Sequence, residues 1–363
     1  MKTLLSSVRS TLSPEIGLDL GTANTVVYER GAGVIVSEPS VVAYNIRTDE
    51  IVAIGHAAKE MEGRAPDRIR VVRPLQRGTI SDFRAAQTMV ARLVDRALAS
   101  RPRIAPRLVA CIPGCATDIE CKAVEQAVRA AGARYTTYVP QALAAAVGAG
   151  LDVMSLRAQM IVNIGGGTTE IAIIGTAGII RMSSLQLGGD FFDQAIVQKL
   201  RTQRFIIGAQ TAERLKLELG YAGRAHGERF TTINGIDQNV MAPRSREISS
   251  ALIGEAMEEG VEHILRAVRA VLERTPPDVA SDLIESGITL AGGGALITGL
   301  AAQIGARTNV PTVVAPDALT CVALGAGEIL GSATLLERVR PHADRVTRWY
   351  QSLRIGMRES FSP

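Results

Sequence analysis

Asp19 and Asn163 hold the same place in two copies of one short pattern, and the difference between them bears directly on chemistry. Residues 16–28 read IGLDLGTANTVVY and residues 161–174 read IVNIGGGTTEIAII. A shift of 144 positions lays Asp19 on Asn163, Gly21 on Gly165, Thr25 on Thr169 and Gly31 on Gly175. Glycines without a Cβ let backbone N–H groups approach an anion, and threonine hydroxyls add donors. A third glycine turn, Gly292-Gly293-Gly294, follows another apolar run and is expected to lead into a helix. The pattern predicts phosphates cradled from two sides, with a carboxylate beside one cradle and a neutral amide beside the other. No turn fits G-x-x-x-x-G-K-[ST] or a G-x-G-x-x-G opening a helix, which disfavours a P-loop or Rossmann site.

Each cradle needs a strand before it and a strand after it, and the apolar runs around both turns supply them. Short strands are expected at Ser40–Tyr44 and Ile51–Ile54, with a helix at Ala57–Gly63, as a small insertion over about 37–70. Met89, Val90, Leu93, Val94 and Leu98 mark an amphipathic helix within 81–100. A strand over Arg107–Ile112 and a helix over 117–131 follow, the helix stopped by Gly132. Gln141–Gly150 is an Ala-rich helix leading to the second cradle. Helices around Phe191–Leu200 and Thr211–Leu219, a hairpin within 220–246, a long helix from Ser249 to Arg274 and a strand at Ile288–Leu290 complete the reading. Strands alternating with helices around an internal repeat predict an α/β fold in two lobes. The expected divisions are an N-terminal segment 1–13, a first lobe 14–148, a second lobe 149–330 with an insertion at about 189–250, and a basic extension 331–363.

At 363 residues the chain suits two large domains rather than one. Its 47% hydrophobic content supports a real core, while 4% aromatics and a diffuse net charge of +4 argue against nucleic acid as a partner. Cys111, Cys115, Cys121 and Cys321 match no zinc spacing and read as thiols of a reducing cytosol. No apolar run reaches the ~18 residues of a membrane span, and no signal peptide is evident at the N-terminus. Leu4, Leu5, Val8 and Leu12 recur at helical spacing with Lys2 and Arg9 off the stripe, so residues 1–12 read either as an interfacial basic helix or as a frayed tail. Beyond residue 335, Arg338, Arg340, Arg345, Arg348, Arg354 and Arg358 accompany Trp349, Tyr350 and Phe361. That tail suits a membrane surface, a protein partner, or a helix packed on the body with a solvated basic face.

The blocks GLDLGTANTVVY, SEPSVVAY, RPLQRGTISDF, GGGTTEIAII, LGGDFFDQAI, TAERLK, PPDVASDL, ITLAGGGALITGL and LTCVALGAG, in this order, resemble the MreB family of bacterial actins over roughly residues 14–330. The resemblance implies an actin-like, two-lobed ATPase fold with duplicated mixed-sheet domains and ATP with Mg2+ in the central cleft. It further implies a cytoplasmic protein that self-assembles into head-to-tail filaments at the inner-membrane surface, with morphogenesis membrane proteins as partners in cell-shape control. Carried onto this chain, Thr22, Ala23 and Asn24 would hold phosphates from one lobe and Gly165, Gly166 and Gly167 from the other. Asp19 would orient Mg2+ through its water shell, since that ion keeps water and prefers oxygen. Glu213, Arg214, Leu215 and Lys216 would contact the adenosine, and Gly293, Gly294, Ala295 and Leu296 would form the loop against adenine. Glu213 and Lys216 are three apart on a helix, a spacing that by itself equally describes a surface ion pair.

Departures from the family gather where hydrolysis would occur. Asn163 stands where the family usually has Asp, Pro140-Gln141-Ala142 where it reads Glu-Glu-Pro, and Arg77-Gly78 where it reads Asp-Gly. Gln141 could position an attacking water without acting as a strong base. The expectation is nucleotide binding with slow or absent hydrolysis, the alternatives being a non-hydrolysing scaffold or a small-molecule kinase of the same fold. A compensating role for Asp19, taking the whole metal-orienting task, stays open.

Overall fold

The computed structural model describes residues 13–99, 105–114, 116–133, 135–175, 178–223 and 227–339. The readings placed on 1–12 and on the tail from residue 340 lie outside the described residues.

Strands β1 (Glu15–Leu20), β2 (Asn24–Glu29) and β3 (Gly33–Pro39) form an antiparallel meander. The chain then leaves to build a small sheet from β4 (Val42–Asn45), β5 (Glu50–Ile54) and β6 (Ile69–Val72), with the His56–Met61 helix beside it. A hairpin of β7 (Leu75–Gln76) and β8 (Thr79–Ile80) turns at Arg77-Gly78, both with positive φ, as a two-residue primed turn requires. The Phe83–Ala97 helix starts at Asp82, whose carboxylate accepts from the Ala85 N–H, and buries Ala85, Ala86, Met89, Val90, Leu93 and Val94. Strands β9 (Arg107–Ile112) and β10 (Tyr135–Pro140) then pair in parallel, and β9 joins β1, giving the order β10-β9-β1-β2-β3. The intervening Asp118–Ala130 helix opens on a capping box between Thr117 and Glu120.

The second half repeats this plan. Strands β11 (Gln159–Ile164), β12 (Thr169–Gly175) and β13 (Gly178–Leu185) form the meander. An inserted region carries the Gly189–Thr202 and Ala209–Leu219 helices and a sheet of β14 (Phe205–Ile206), β15 (Phe230–Asp237) and β16 (Ala242–Ser249). The Ser250–Glu273 and Pro277–Ser286 helices lead to β17 (Ile288–Ala291) and β18 (Thr312–Val314), in the order β13-β12-β11-β17-β18. The first sheet read from β3 to β10 has the same topology as the second read from β13 to β18, so the duplication seen at the cradles extends to whole sheets.

Strand β12 shows why the centre reads as one apolar run: Ile171 and Ile173 face one core, Ala172 and Ile174 another. Both faces of such a strand are covered, so alternation disappears from the sequence. The equivalent helices Gln141–Gly148 and Cys321–Gly331 cross between the sheets. They approach so closely that a Cβ at Gly148 would overlap the Cys321 carbonyl and one at Gly325 the Ala144 carbonyl. The Cys321–Gly331 helix also presses on β1, where a Cβ at Gly17 would lie 2.8 Å from the Ala323 oxygen. A helix of the second half therefore packs on the first sheet.

The expected strands and helices form, with boundaries moved by a few residues. One expectation is corrected: the third glycine turn opens a short 3-10 turn, Gly293–Leu296, and the α-helix begins only at Leu300. Gly292 at φ 80° breaks the chain direction there, and Gly299 at φ 82° breaks it again.

Candidate functional site

The two cradles are closed by the same backbone hydrogen bond. Gly21 N–H donates to the Asn24 carbonyl at 3.1 Å, and Gly165 N–H donates to the Thr168 carbonyl at 2.8 Å, the same bond shifted by 144 residues. Each turn is braced beneath by its buried threonine. Thr25 Oγ1 lies 2.9 Å from Ser40 Oγ, and Thr169 Oγ1 donates to the Leu187 carbonyl at 2.7 Å. Ser40 also donates to the Gly21 carbonyl at 2.6 Å.

The cradles meet across a cleft of about 540 Å3. A Cβ at Gly166 would come within 2.6 Å of Ala23 Cβ and 3.0 Å of Ala23 N. One at Gly167 would come within 2.7 Å of Thr22 Oγ1 and 2.9 Å of the Arg77 backbone. Gly78 N–H donates to Thr22 Oγ1 at 3.0 Å, so the β7–β8 hairpin steadies the first cradle from outside.

Of the residues singled out in the sequence, Asp19, Thr22, Ala23, Asn24, Gln141, Gly165, Gly166, Gly167, Glu213, Lys216, Gly293, Gly294 and Leu296 line this one cleft. Arg214, Leu215 and Ala295 do not. Leu215 and Ala295 are buried in the core of the second half, and Arg214 faces solvent. A helix shows one face to a cleft, so the three-residue spacing of Glu213 and Lys216 selects the lining pair and turns the residues between them away. Pro113, Gly189 and Leu319 line the cleft without having been singled out; they come from distant parts of the chain that reach it only in the folded protein.

The rim is tied shut by Lys59, whose ammonium lies 2.7 Å from Glu213 and thus joins the first inserted region to the Ala209–Leu219 helix. Gln210 Nε2 adds a bond to the Lys59 carbonyl at 2.6 Å. Desolvation pushes the Glu213 carboxyl up, but the hydrogen bond and charge of Lys59, with Lys216 and Arg73 behind, pull it below the usual range. Lys216 Nζ donates to Asp193 Oδ2 at 3.0 Å and to the Gly189 carbonyl at 3.2 Å.

The floor holds the titrating groups. Gln141 Nε2 donates to Asp19 Oδ1 at 3.1 Å, and Asn163 lies buried beside them. Burial pushes Asp19 up to about 7, the Gln141 bond offsetting it only in part. Glu170, fully buried on β12 and not singled out in the sequence, is also pushed up to about 7 by burial, with the charge of Asp19 adding to the rise. The signal for it was a carboxylate inside an otherwise apolar run.

These raised values have a consequence for the ligand-free chain. An acid whose folded pKa exceeds its unfolded value favours the fold below about 4 and loses that contribution as pH rises through about 7. Asp19→Asn is therefore expected to melt above the native chain at pH 8, the gap closing as pH falls below about 6. Calorimetry across that range checks it, and a gap that widens on acidification counts against it.

Two facing rows of backbone amides around a cleft of this volume suit a polyphosphate and an attached ring system. The residues present also fit a hydrated divalent cation. Asp19 is a half-buried carboxylate at the cleft that a nearby positive ion would keep ionised, and among the described residues no group of three or more His, Cys, Asp or Glu gathers to encase a metal. That donor set matches an ion that keeps most of its water.

The MreB/Mbl protein family model matches residues 13–338. The cell shape-determining protein MreB of Escherichia coli (strain K12) is 40% identical over 335 residues, covering 90% of this chain and 96% of that protein. The cell shape-determining protein Mbl of Bacillus subtilis (strain 168) is 35% identical over 327 residues, covering 89% and 98%. The crystal structure of MreB 5 of Spiroplasma citri bound to AMPPNP superposes with a TM-score of 0.84 at 34% identity, covering 90% of this chain and 97% of that one.

Proposed function

The chain belongs to the MreB/Mbl family, and from that premise we propose that it is an ATP-binding, filament-forming, actin-like cytoskeletal protein that acts in cell-shape determination at the inner membrane. The observation that carries the proposal is the meeting across one cleft of two cradles closed by the same hydrogen bond. Backbone amides of Thr22, Ala23 and Asn24 take the phosphates from one side and those of Gly165, Gly166 and Gly167 from the other. Glu213 and Lys216 take the ribose side, and Gly293, Gly294 and Leu296 border the adenine.

A Mg2+ ion bound with the nucleotide would supply charge neutralisation of the phosphates, and Asp19 would orient its water shell. Gln141, bonded to Asp19, aligns a water at the phosphate end. The Lys59–Glu213 tie across the rim couples closure of the cleft to the residue that contacts the nucleotide. Nucleotide binding thereby biases the closed state, and with it the surfaces offered to the next subunit. A heterologous contact between such subunits that does not close on itself grows into a filament. No helix among the described residues is long and apolar enough to cross a membrane, so membrane contact in this proposal is peripheral.

The test is electron microscopy of the purified full chain on anionic lipid. Filaments are expected with ATP and Mg2+ and should become sparse without nucleotide. Phosphorylation of a small-molecule panel, with no assemblies under any nucleotide, would replace this reading by that of a kinase.

A further inference from the structure

The acid absent at position 163 reappears one strand away. In the first half Asp19 of β1 pairs with Val26 of β2; in the second half Asn163 of β11 pairs with Glu170 of β12. The two pairs are the same rung of the ladder, shifted by 144 residues. Each half thus brings one carboxylate to this rung, on opposite members of the pair. Directly opposed residues of an antiparallel pair project from the same face, so Glu170 shares a face with Asn163, which lines the cleft.

The Glu170 side chain is fully buried, and its oxygens are treated unequally. Oε1 accepts from the Gly114 N–H, and the Ala142 backbone N–H lies near enough to favour the charged carboxylate. Oε2 is buried and has no hydrogen-bond partner, and neither has the Oγ of Ser184, the residue paired with Glu170 on β13. A buried carboxylate oxygen without a partner is costly, and such a group in a folded protein calls for a functional account. Its holders point to one. Gly114 follows Pro113 and Ala142 follows Gln141, and both Pro113 and Gln141 line the cleft. The carboxylate is therefore fixed one residue behind the wall that carries the water-aligning amide.

We propose that Glu170 is the proton acceptor for nucleotide hydrolysis, taking the proton from the Gln141-aligned water through one bridging water. The inference rests on the nucleotide reading of the cleft. As the attacking oxygen bonds to the terminal phosphorus, the bond from that phosphorus to the bridging oxygen breaks, and the diphosphate leaves with the electron pair. The water's proton passes to Glu170 Oε2 and from there to solvent. Gln141 and Asn163, being neutral amides, cannot take that proton, and Asp19 is engaged by Gln141. The titrating groups facing Glu170 are Asp19 from β1 and Cys111 from β9; Asn163 and Ser184 from the flanking strands do not titrate, and the helix at Gln141 and the turn at Gly114 present backbone N–H groups. The raised value of Glu170, about 7, suits a base at neutral pH.

The experiment measures phosphate release from ATP with Mg2+ by the full chain between pH 5.5 and 8.5, with nucleotide affinity, Mg2+ requirement and melting temperature recorded alongside. Native release is expected to rise with pH and level off above about 7. Glu170→Gln keeps the shape and an acceptor for the Gly114 N–H. It is expected to lose about a hundredfold in release and its pH dependence, with affinity and Mg2+ requirement within about twofold of native. Release by Glu170→Gln within about threefold of native, or a parallel loss of affinity, or a shifted Mg2+ requirement, overturns the proposal. So does a native profile that is flat across this range or shows no release, which decides the matter even where the variant folds poorly. Nucleotide affinity and filament formation test the wider reading independently of phosphate release.

Discussion

Gly166→Asp is expected to abolish nucleotide binding while leaving the chain folded. The Cα of Gly166 is partly open to the cleft, so a side chain there enters the cleft rather than a core. Its Cβ would come within 2.6 Å of Ala23 Cβ, forcing the two cradles apart at the point where both must reach the same phosphates. The added carboxylate then places a negative charge among amides oriented for an anion, where the phosphates would be repelled. Affinity is expected to fall by at least about a hundredfold, on the order of 3 kcal/mol. Calorimetric titration of ATP with Mg2+ measures it, with melting temperature as the control. Binding within a few-fold of native would move the phosphate site elsewhere.

Gly325→Ala acts on the scaffold and should produce the largest loss of stability. A single methyl at this position overlaps the Ala144 carbonyl oxygen, a backbone atom that no rotamer change can move aside. The Cys321–Gly331 and Gln141–Gly148 helices would have to separate, and with them the sheets that carry the two cradles. Overpacking of this kind costs about 3 kcal/mol. For a chain of this size that lowers the melting temperature by about 4 °C. Nucleotide affinity is expected to weaken as well, because Gln141 stands at the start of one of these helices. An unchanged melting temperature would mean that the helices slide apart freely.

The repeat was legible because both cradles use the same residues at the same offsets, and glycine and threonine turns announce themselves locally. The amphipathic helix at Phe83–Ala97 was legible for a similar reason: one face is buried and the other is wet, so the period shows. The Tyr135–Pro140 and Gly178–Leu185 strands and the Cys321–Gly331 helix were not assigned from the sequence. That helix is buried on nearly every side, so no polar stripe betrays its period. Among site residues, Asp19 and Gln141 could be nominated from motif context, whereas Pro113 and Leu319 enter the cleft only because distant loops converge there.

What the amino-acid sequence determined alone was the kind of molecule: two related halves, each offering a phosphate cradle, with a carboxylate beside the first and an amide beside the second. Those properties are local, carried by residue type and spacing within a few positions. Only the tertiary structure decided which carboxylates come together at the floor and just behind it. Asp19 and Glu170 are 151 residues apart in sequence, and nothing local to either records that they are buried near one another. Strand pairing puts Glu170 opposite Asn163, and the packing of the two sheets brings Asp19 to the same floor. Burial and the field of a neighbouring charge depend on the whole packed arrangement, so the chemistry of the floor is a property of the fold rather than of any segment.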